Sequence, residues 1–279
     1  MARTPEKPEE IAARLKELAG LFSPEEASTL SAGRAKHVRK AINQVLGQLT
    51  TVLEGLDPIK NPSFVFDPSN PNVVGRIVAL TMIGQDRKPL EAVDRFYGSG
   101  VYAIYYKGKF PAYARLSKRE HPIYVGKVDP ANPAAKTPTE QGDRLANRLR
   151  DHRKNISKAT STLRVEDFEY RALVVQSGWQ KPAEDYLIYL FQPIWNNEVG
   201  ICYGFGKHGD DPGTRANLRS PWDTLHPGRD WAHRDPNMKD ARSRRGILQG
   251  IRAHLTKYPP IRSIPEILRR FLDEIRTVS

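Results

Sequence analysis

Residues 100–106 read Gly-Val-Tyr-Ala-Ile-Tyr-Tyr, and residues 121–128 read His-Pro-Ile-Tyr-Val-Gly-Lys-Val. Both runs are short, rich in valine, isoleucine and tyrosine, and flanked by glycine or proline, which is the composition of β-strands. Tyr102 closes Gly100-Val101-Tyr102, and Tyr124, 22 positions later, opens Tyr124-Val125-Gly126. Between the runs stand Lys107, Lys109, Arg115, Lys118 and Arg119 against Glu120. That connection is equally a solvated hairpin loop and a phosphate contact.

Downstream, residues 129–143 hold three prolines and predict a loop. Residues 143–158 predict a helix. Leu145 and Leu149 supply its apolar stripe, and Arg144, Arg148 and His152 recur every fourth position on a neighbouring face. Phe168–Val175 predicts a further strand. Pro182 opens a predicted helix through Phe191, since proline suits a first helical turn, and Pro193-Ile194-Trp195-Asn196-Asn197 ends it.

Upstream, the texture is helical. Glu9–Phe22 carries Ile11, Leu15, Leu18 and Leu21–Phe22 at helical spacing. Gly33–Leu56 carries Val38, Ile42, Val45, Leu46, Leu49 and Leu53 and stops at Gly55 and Pro58. Residues 57–72 predict a loop and Val73–Met82 a third, shorter helix. The C-terminal region opens with a Gly/Asp/Pro-rich stretch and predicts helices near Lys239–His254 and Ser263–Arg276. Three regions result: a helical N-terminal extension over 1–96, for dimerisation or DNA wrapping, an α+β core over 97–205, and a basic region over 206–279.

Lys and Arg total 44 against 32 Asp and Glu, a net charge of +12 and a pI of about 9.7. That balance suits nucleic acid, whose phosphates recruit cations through counterion release. The charge is also clustered: residues 144–158 hold Arg144, Arg148, Arg150, Arg153, Lys154 and Lys158 against Asp151 alone. Cys202 is the one cysteine, which excludes an intramolecular disulfide and a cysteine-based zinc site. No stretch approaches a membrane span, and no apolar signal core opens the chain, so a cytoplasmic setting is expected.

Hydrolysis of a phosphodiester needs a deprotonated water, neutralisation of charge at phosphorus and a path for the leaving oxygen. Arg148 offers a fork of donors to phosphate oxygens, and His152, one turn later, is a residue that accepts a proton near neutrality. A tyrosine hydroxyl is a poor base alone, but a histidine, cation or metal beside it changes that. Glu184 has Leu187, Ile188 and Phe191 as helical neighbours and so falls on an apolar face. A carboxylate there is costly unless an arginine pairs with it or a metal binds it. Singly, each residue has a plainer reading: Tyr102 and Tyr124 as strand core, Arg148 as a surface cation, His152 as a helix hydrogen-bonder, Asn196 as a partner for loop backbone. The ordered set Tyr102, Tyr124, Arg148, His152, Glu184, Asn196 points to phosphodiester chemistry.

Over about residues 97–200 this set resembles the GIY-YIG nuclease superfamily, with valine replacing isoleucine in Gly100-Val101-Tyr102 and Tyr124-Val125-Gly126. Arg148-Leu149-Arg150-Asp151-His152, Glu184 and Asn196 resemble its type II restriction endonuclease branch in order and spacing. The resemblance implies a compact core with a three-stranded antiparallel sheet flanked by helices, cutting double-stranded DNA with one Mg²⁺ per site, Mn²⁺ being able to substitute. By carry-over, Tyr102 activates water and His152 relays its proton. Tyr124 and Arg148 position the scissile phosphate, Glu184 binds the metal, and Asn196 supports the phosphate or leaving-group side. Lys127 is placed either for a further phosphate contact or as an ordinary exposed lysine.

One such site cuts one strand, so a palindrome calls for a homodimer. The branch, together with arginine's fit to guanine edges, implies a GC-rich target and a cognate DNA methyltransferase in the same cell. The alternatives are a homing or repair nuclease on the same core and a catalytically inactive DNA-binding protein. The first is disfavoured because the chain has no zinc-finger spacing and no long linker, the second because the Tyr, Arg, His and Glu set is retained.

Overall fold

The computed structural model describes residues 8–20, 23–56, 59, 67–176, 178–206 and 218–277. The chain divides into one unit up to residue 65 and another from residue 66. The first holds α1 (Pro8–Gly20), α2 (Pro24–Ser28) and α3 (Ala32–Leu56). The helix predicted through Phe22 is described only to Gly20, and residues 21–22 lie outside the described residues. So do most of the predicted 57–72 loop and the Gly/Asp/Pro-rich stretch at 207–217.

The second unit begins with α4 (Pro71–Ile83), capped by the Asn70 side chain, which accepts from the Asn72 N–H. It continues through β1 (Lys88–Pro89), β2 (Gly100–Tyr106), β3 (Tyr124–Val128), α5 (Pro138–Gln141), α6 (Arg144–Lys158), β4 (Phe168–Val174) and α7 (Gln180–Phe191). After it come β5 (Leu218–Arg219), α8 (Pro221–Leu225), α9 (Asp230–His233), β6 (Lys239–Asp240), α10 (Arg244–Lys257) and α11 (Ile264–Thr277). Helix α7 starts two residues before Pro182, which sits within the first turn. Of the segment predicted helical from Lys239, residues 239–240 instead form the small β6 strand paired with β5.

The main sheet has the order β1-β4-β2-β3 and is antiparallel throughout. It is four-stranded, where three strands were expected. The extra strand, Lys88–Pro89, pairs with Tyr170 and Glu169 of β4 and is too short to carry a period-2 signal. In register, Tyr102 lies opposite Gly126 on one side and Ala172 on the other.

Every residue of β2 is buried, because this central strand has packing on both faces. Tyr102, Ile104 and Tyr106 join Leu145 and Leu149 of α6, Trp195 and Phe205. Val101, Ala103 and Tyr105 join Ala79 and Met82 of α4 and Leu187 of α7. A strand covered on both faces is a near-continuous apolar run, which is what GVYAIYY is. Helix α4 thereby belongs to the sheet layer: Gly75 lies so close to Pro182 that a Cβ there would overlap the Pro182 backbone.

The two signature glycines have steric causes. A Cβ on Gly100 would collide with the Leu173 carbonyl of the neighbouring strand, and one on Gly126 would collide with the Tyr102 hydroxyl. Both strands therefore need a residue without a side chain at these positions. Among the described residues, no helix is long and apolar enough to cross a membrane.

Candidate active site

Strand β2 delivers Tyr102 to the face covered by α6, and that helix delivers Arg148 and His152 one turn apart. His152 joins Leu145 and Leu149 among the buried residues of α6, while Arg148 is half-buried. The Tyr102 hydroxyl lies 2.7 Å from His152 Nε2, and Arg148 Nε donates to the same hydroxyl at 3.4 Å. The phenol can donate to His152 Nε2 when the imidazole carries its proton on Nδ1, and it accepts from Arg148. Tyr124, from β3, completes the cluster, its ring 6.1 Å from that of Tyr102 and 5.2 Å from that of His152.

Burial dominates the electrostatics. It drives the Tyr102 hydroxyl well above the usual tyrosine range, reinforced by Tyr124 and opposed by the Arg148 charge. Tyr124 is also raised by burial, with Arg148 again opposing and Glu184 adding to the rise. Both phenols are therefore neutral at working pH.

Glu184 projects from α7 beside the buried Leu187 and Ile188. Burial pushes its carboxyl up to about 7, resisted by the Lys181 and Lys127 charges. Lys181 Nζ is 4.0 Å away, a long ion pair, and the arginine partner of the plainer reading is not present among the described residues. A carboxylate poorly compensated in this way fits a hard divalent cation, which typically takes one or two carboxylates and keeps several waters. Among the described residues no group of three or more His, Cys, Asp or Glu is placed to hold a metal. Lys127 is half-buried and pairs with Asp129, which leaves its charge close enough to act on Glu184.

Asn196 is bonded to the strand that carries Tyr124. Its Oδ1 accepts from the Val125 N–H and its Nδ2 donates to the Val125 carbonyl, both at 2.9 Å. With both ends of a buried amide held by one residue, Asn196 fixes the strand between Tyr124 and Gly126. The plainer expectation, a partner for backbone groups, describes its geometry.

The Eco29kI GIY-YIG domain model matches residues 94–255, more than half of the chain. The chain belongs to this family. It is a nuclease of the type II restriction endonuclease family, and the domain implies DNA binding. No curated protein matches the chain. The matched Eco29kI domain runs from just before β2 into α10, well beyond the predicted end of the core at 205.

Within that Eco29kI domain lie residues that sequence patterns did not single out. Phe205 stacks on His152 with ring centroids 4.5 Å apart and planes 18° from parallel. Gly206 follows, and its carbonyl accepts from Arg148 Nη2 at 2.9 Å. This turn is anchored by Arg229, whose Nη2 donates to Gly204 O at 2.8 Å and Nη1 to Phe205 O at 3.2 Å. Arg229 is itself paired with Asp223 through bonds of 2.6 and 2.8 Å, and both side chains are fully buried. A bidentate arginine–carboxylate pair of this kind has directional strength. The signal available in sequence was Asp223 and Arg229 standing six positions apart around Trp222 and His226, which has no motif value without the fold.

Proposed function

We propose that this protein is a type II site-specific deoxyribonuclease that hydrolyses both strands of a palindromic duplex as a homodimer. The observation that carries this reading is the 2.7 Å contact between Tyr102 Oη and His152 Nε2, with Arg148 donating to the same oxygen.

Because burial raises Tyr102 so far, the phenol acts as a relay rather than a stored anion. It takes a proton from the attacking water as it passes its own proton to His152 Nε2, so no phenolate accumulates. Arg148 stays cationic and faces the developing charge on phosphorus, with a planar fork suited to phosphate oxygens. Tyr124, beside Arg148, orients the phosphate. Asn196 holds the strand that carries Tyr124. Glu184 would hold a Mg²⁺, or a Mn²⁺ in its place, and the bound ion would supply Lewis-acid polarisation of a phosphoryl oxygen. Lys127 tunes that carboxylate, and a contact of its own with phosphate follows if DNA draws it from Asp129.

The cellular setting proposed is the cytoplasm, with a methyltransferase protecting the same, GC-rich, site. Incubation of the full chain with plasmid and Mg²⁺ tests the reading: discrete fragments support it, and tight binding without cleavage overturns it. Sequencing the fragment ends supplies the target and the cut position.

A further inference from the structure

The unit up to residue 65 has a character unlike that of the sheet: no residue of α1 or α3 is buried. Yet Val38, Ile42, Val45, Leu49, Val52 and Leu56 follow one another along α3 at alternating intervals of four and three. That is the heptad seam of helices wound on one another. Leu46 and Leu53 widen the seam on one flank, the pattern of a helix in a bundle rather than a narrow two-stranded coil. Ile11, Leu15 and Leu18 repeat the four-and-three spacing on α1. No charged residue occupies a seam position.

Helix α3 is poorly suited to standing alone. Gly47 lies in its interior and Gly55 near its end, each costing about 1 kcal/mol relative to alanine in a helix interior. The Thr50 and Thr51 hydroxyls bond back to the Leu46 and Gly47 carbonyls at 2.9 and 3.1 Å, a local competition that weakens a helix. Stability of such a helix comes from packing its apolar face. Seven α3 side chains from Ile42 to Leu56 remain between 36% and 74% exposed. Those seven residues alone present on the order of 700 Å² of surface along one helix, beyond the ~300–600 Å² of the largest patch on a typical monomer and close to the ~800 Å² each partner gives to a standard interface.

We propose that α1 and α3 are the dimerisation element of this protein, two copies pairing along these seams in a helical bundle. A second copy is the occupant the pattern fits: a seam with one repeat complements itself, and the surface of α3 alone is close to what each partner gives to a standard interface. An uncharged seam offers nothing to DNA phosphates. The purpose of the pairing rests on the nuclease reading, since cutting both strands takes two sites. The seam also lies outside the Eco29kI domain match at 94–255.

Sedimentation of the full chain at micromolar concentration decides it, with Leu49→Glu/Leu53→Glu as the disrupting variant and Leu49→Met/Leu53→Met as the apolar control. The wild type and the Met control are expected at two chains. The Glu variant is expected at one chain, with the thermal transition of the catalytic unit unchanged. On supercoiled plasmid the Glu variant should nick, with double-strand cleavage at least about 10-fold slower. A single-chain wild type, or a Glu variant that stays paired, would overturn the proposal. A paired wild type that leaves DNA intact would instead sink the nuclease reading and leave the seam standing, whereas cleavage by a single-chain wild type would do the reverse.

Discussion

Asn196 holds Val125 by both ends of a single amide, accepting from its N–H and donating to its carbonyl at 2.9 Å each. The side chain acts there as a piece of backbone, completing the hydrogen bonds that β3 does not make with β2. Asn196→Ala leaves two buried backbone groups unsatisfied and should cost ~1–3 kcal/mol in denaturant unfolding. Cleavage should fall with it, because Tyr124 loses its fixed position. Unchanged stability with lost cleavage would return Asn196 to the phosphate.

Tyr102→Phe removes one hydroxyl from between His152 and Arg148. Single-turnover cleavage should slow by roughly 10²–10⁴-fold, the usual reach of positioned proton transfer, with DNA affinity nearly unchanged. Since burial raises this phenol well above 10.0, ultraviolet titration should show no phenolate from Tyr102 at pH 10. A phenolate band lost in the Phe variant would contradict the relay.

The carboxyl of Glu184 is raised to about 7 from an ordinary 4.5, so the folded protein holds this proton more tightly than the unfolded chain. Metal-free stability from this group is therefore full below about pH 4.5 and is lost as pH rises towards 7. Glu184→Gln should melt higher than the wild type at pH 8 without metal, by on the order of 1–3 kcal/mol. Adding Mg²⁺ should stabilise the wild type alone. The metal's effect should weaken as pH falls below 7, and equal stabilisation of both proteins would remove Glu184 from the metal site.

Gly126 takes no part in the chemistry, yet a Cβ there overlaps the Tyr102 hydroxyl. Gly126→Ala should therefore imitate loss of that hydroxyl, with a cleavage defect approaching that of Tyr102→Phe and a stability cost of ~1–3 kcal/mol. Wild-type cleavage would show that the phenol moves aside without consequence.

Arg229→Met breaks a fully buried pair and strands Asp223. A loss of ~3–5 kcal/mol is expected. Arg229→Met/Asp223→Leu should recover much of that stability but not cleavage, because Gly204 and Phe205 lose the donors that anchor them. Recovery of both would separate this pair from the site.

The strands and the α6 helix were legible in sequence because each rests on local composition, and the approach of Tyr102, Tyr124, Arg148 and His152 was an expectation carried by the GIY-YIG resemblance. The β-branched and aromatic make-up of GVYAIYY marks a strand, and a four-residue spacing puts Arg148 and His152 on one helix face. Glu184 was legible through its apolar neighbours. The strand Lys88–Pro89 was not, since two residues carry no period. Nor was the stacking of Phe205 on His152, which depends on an arginine 24 positions beyond it in the chain. The placement of Asn196 depended on strand register, which sequence spacing does not specify.

Strand order has one more consequence. On one side the sheet finishes at β3, where the Asn196 amide already occupies Val125. On the other it finishes at β1, a two-residue strand whose second member is a proline without an N–H. Among the described residues, Val125 on one margin and Pro89 on the other each interrupt the row of groups an added strand would need, which disfavours strand addition there. The same two positions oppose edge-to-edge pairing of one sheet with another.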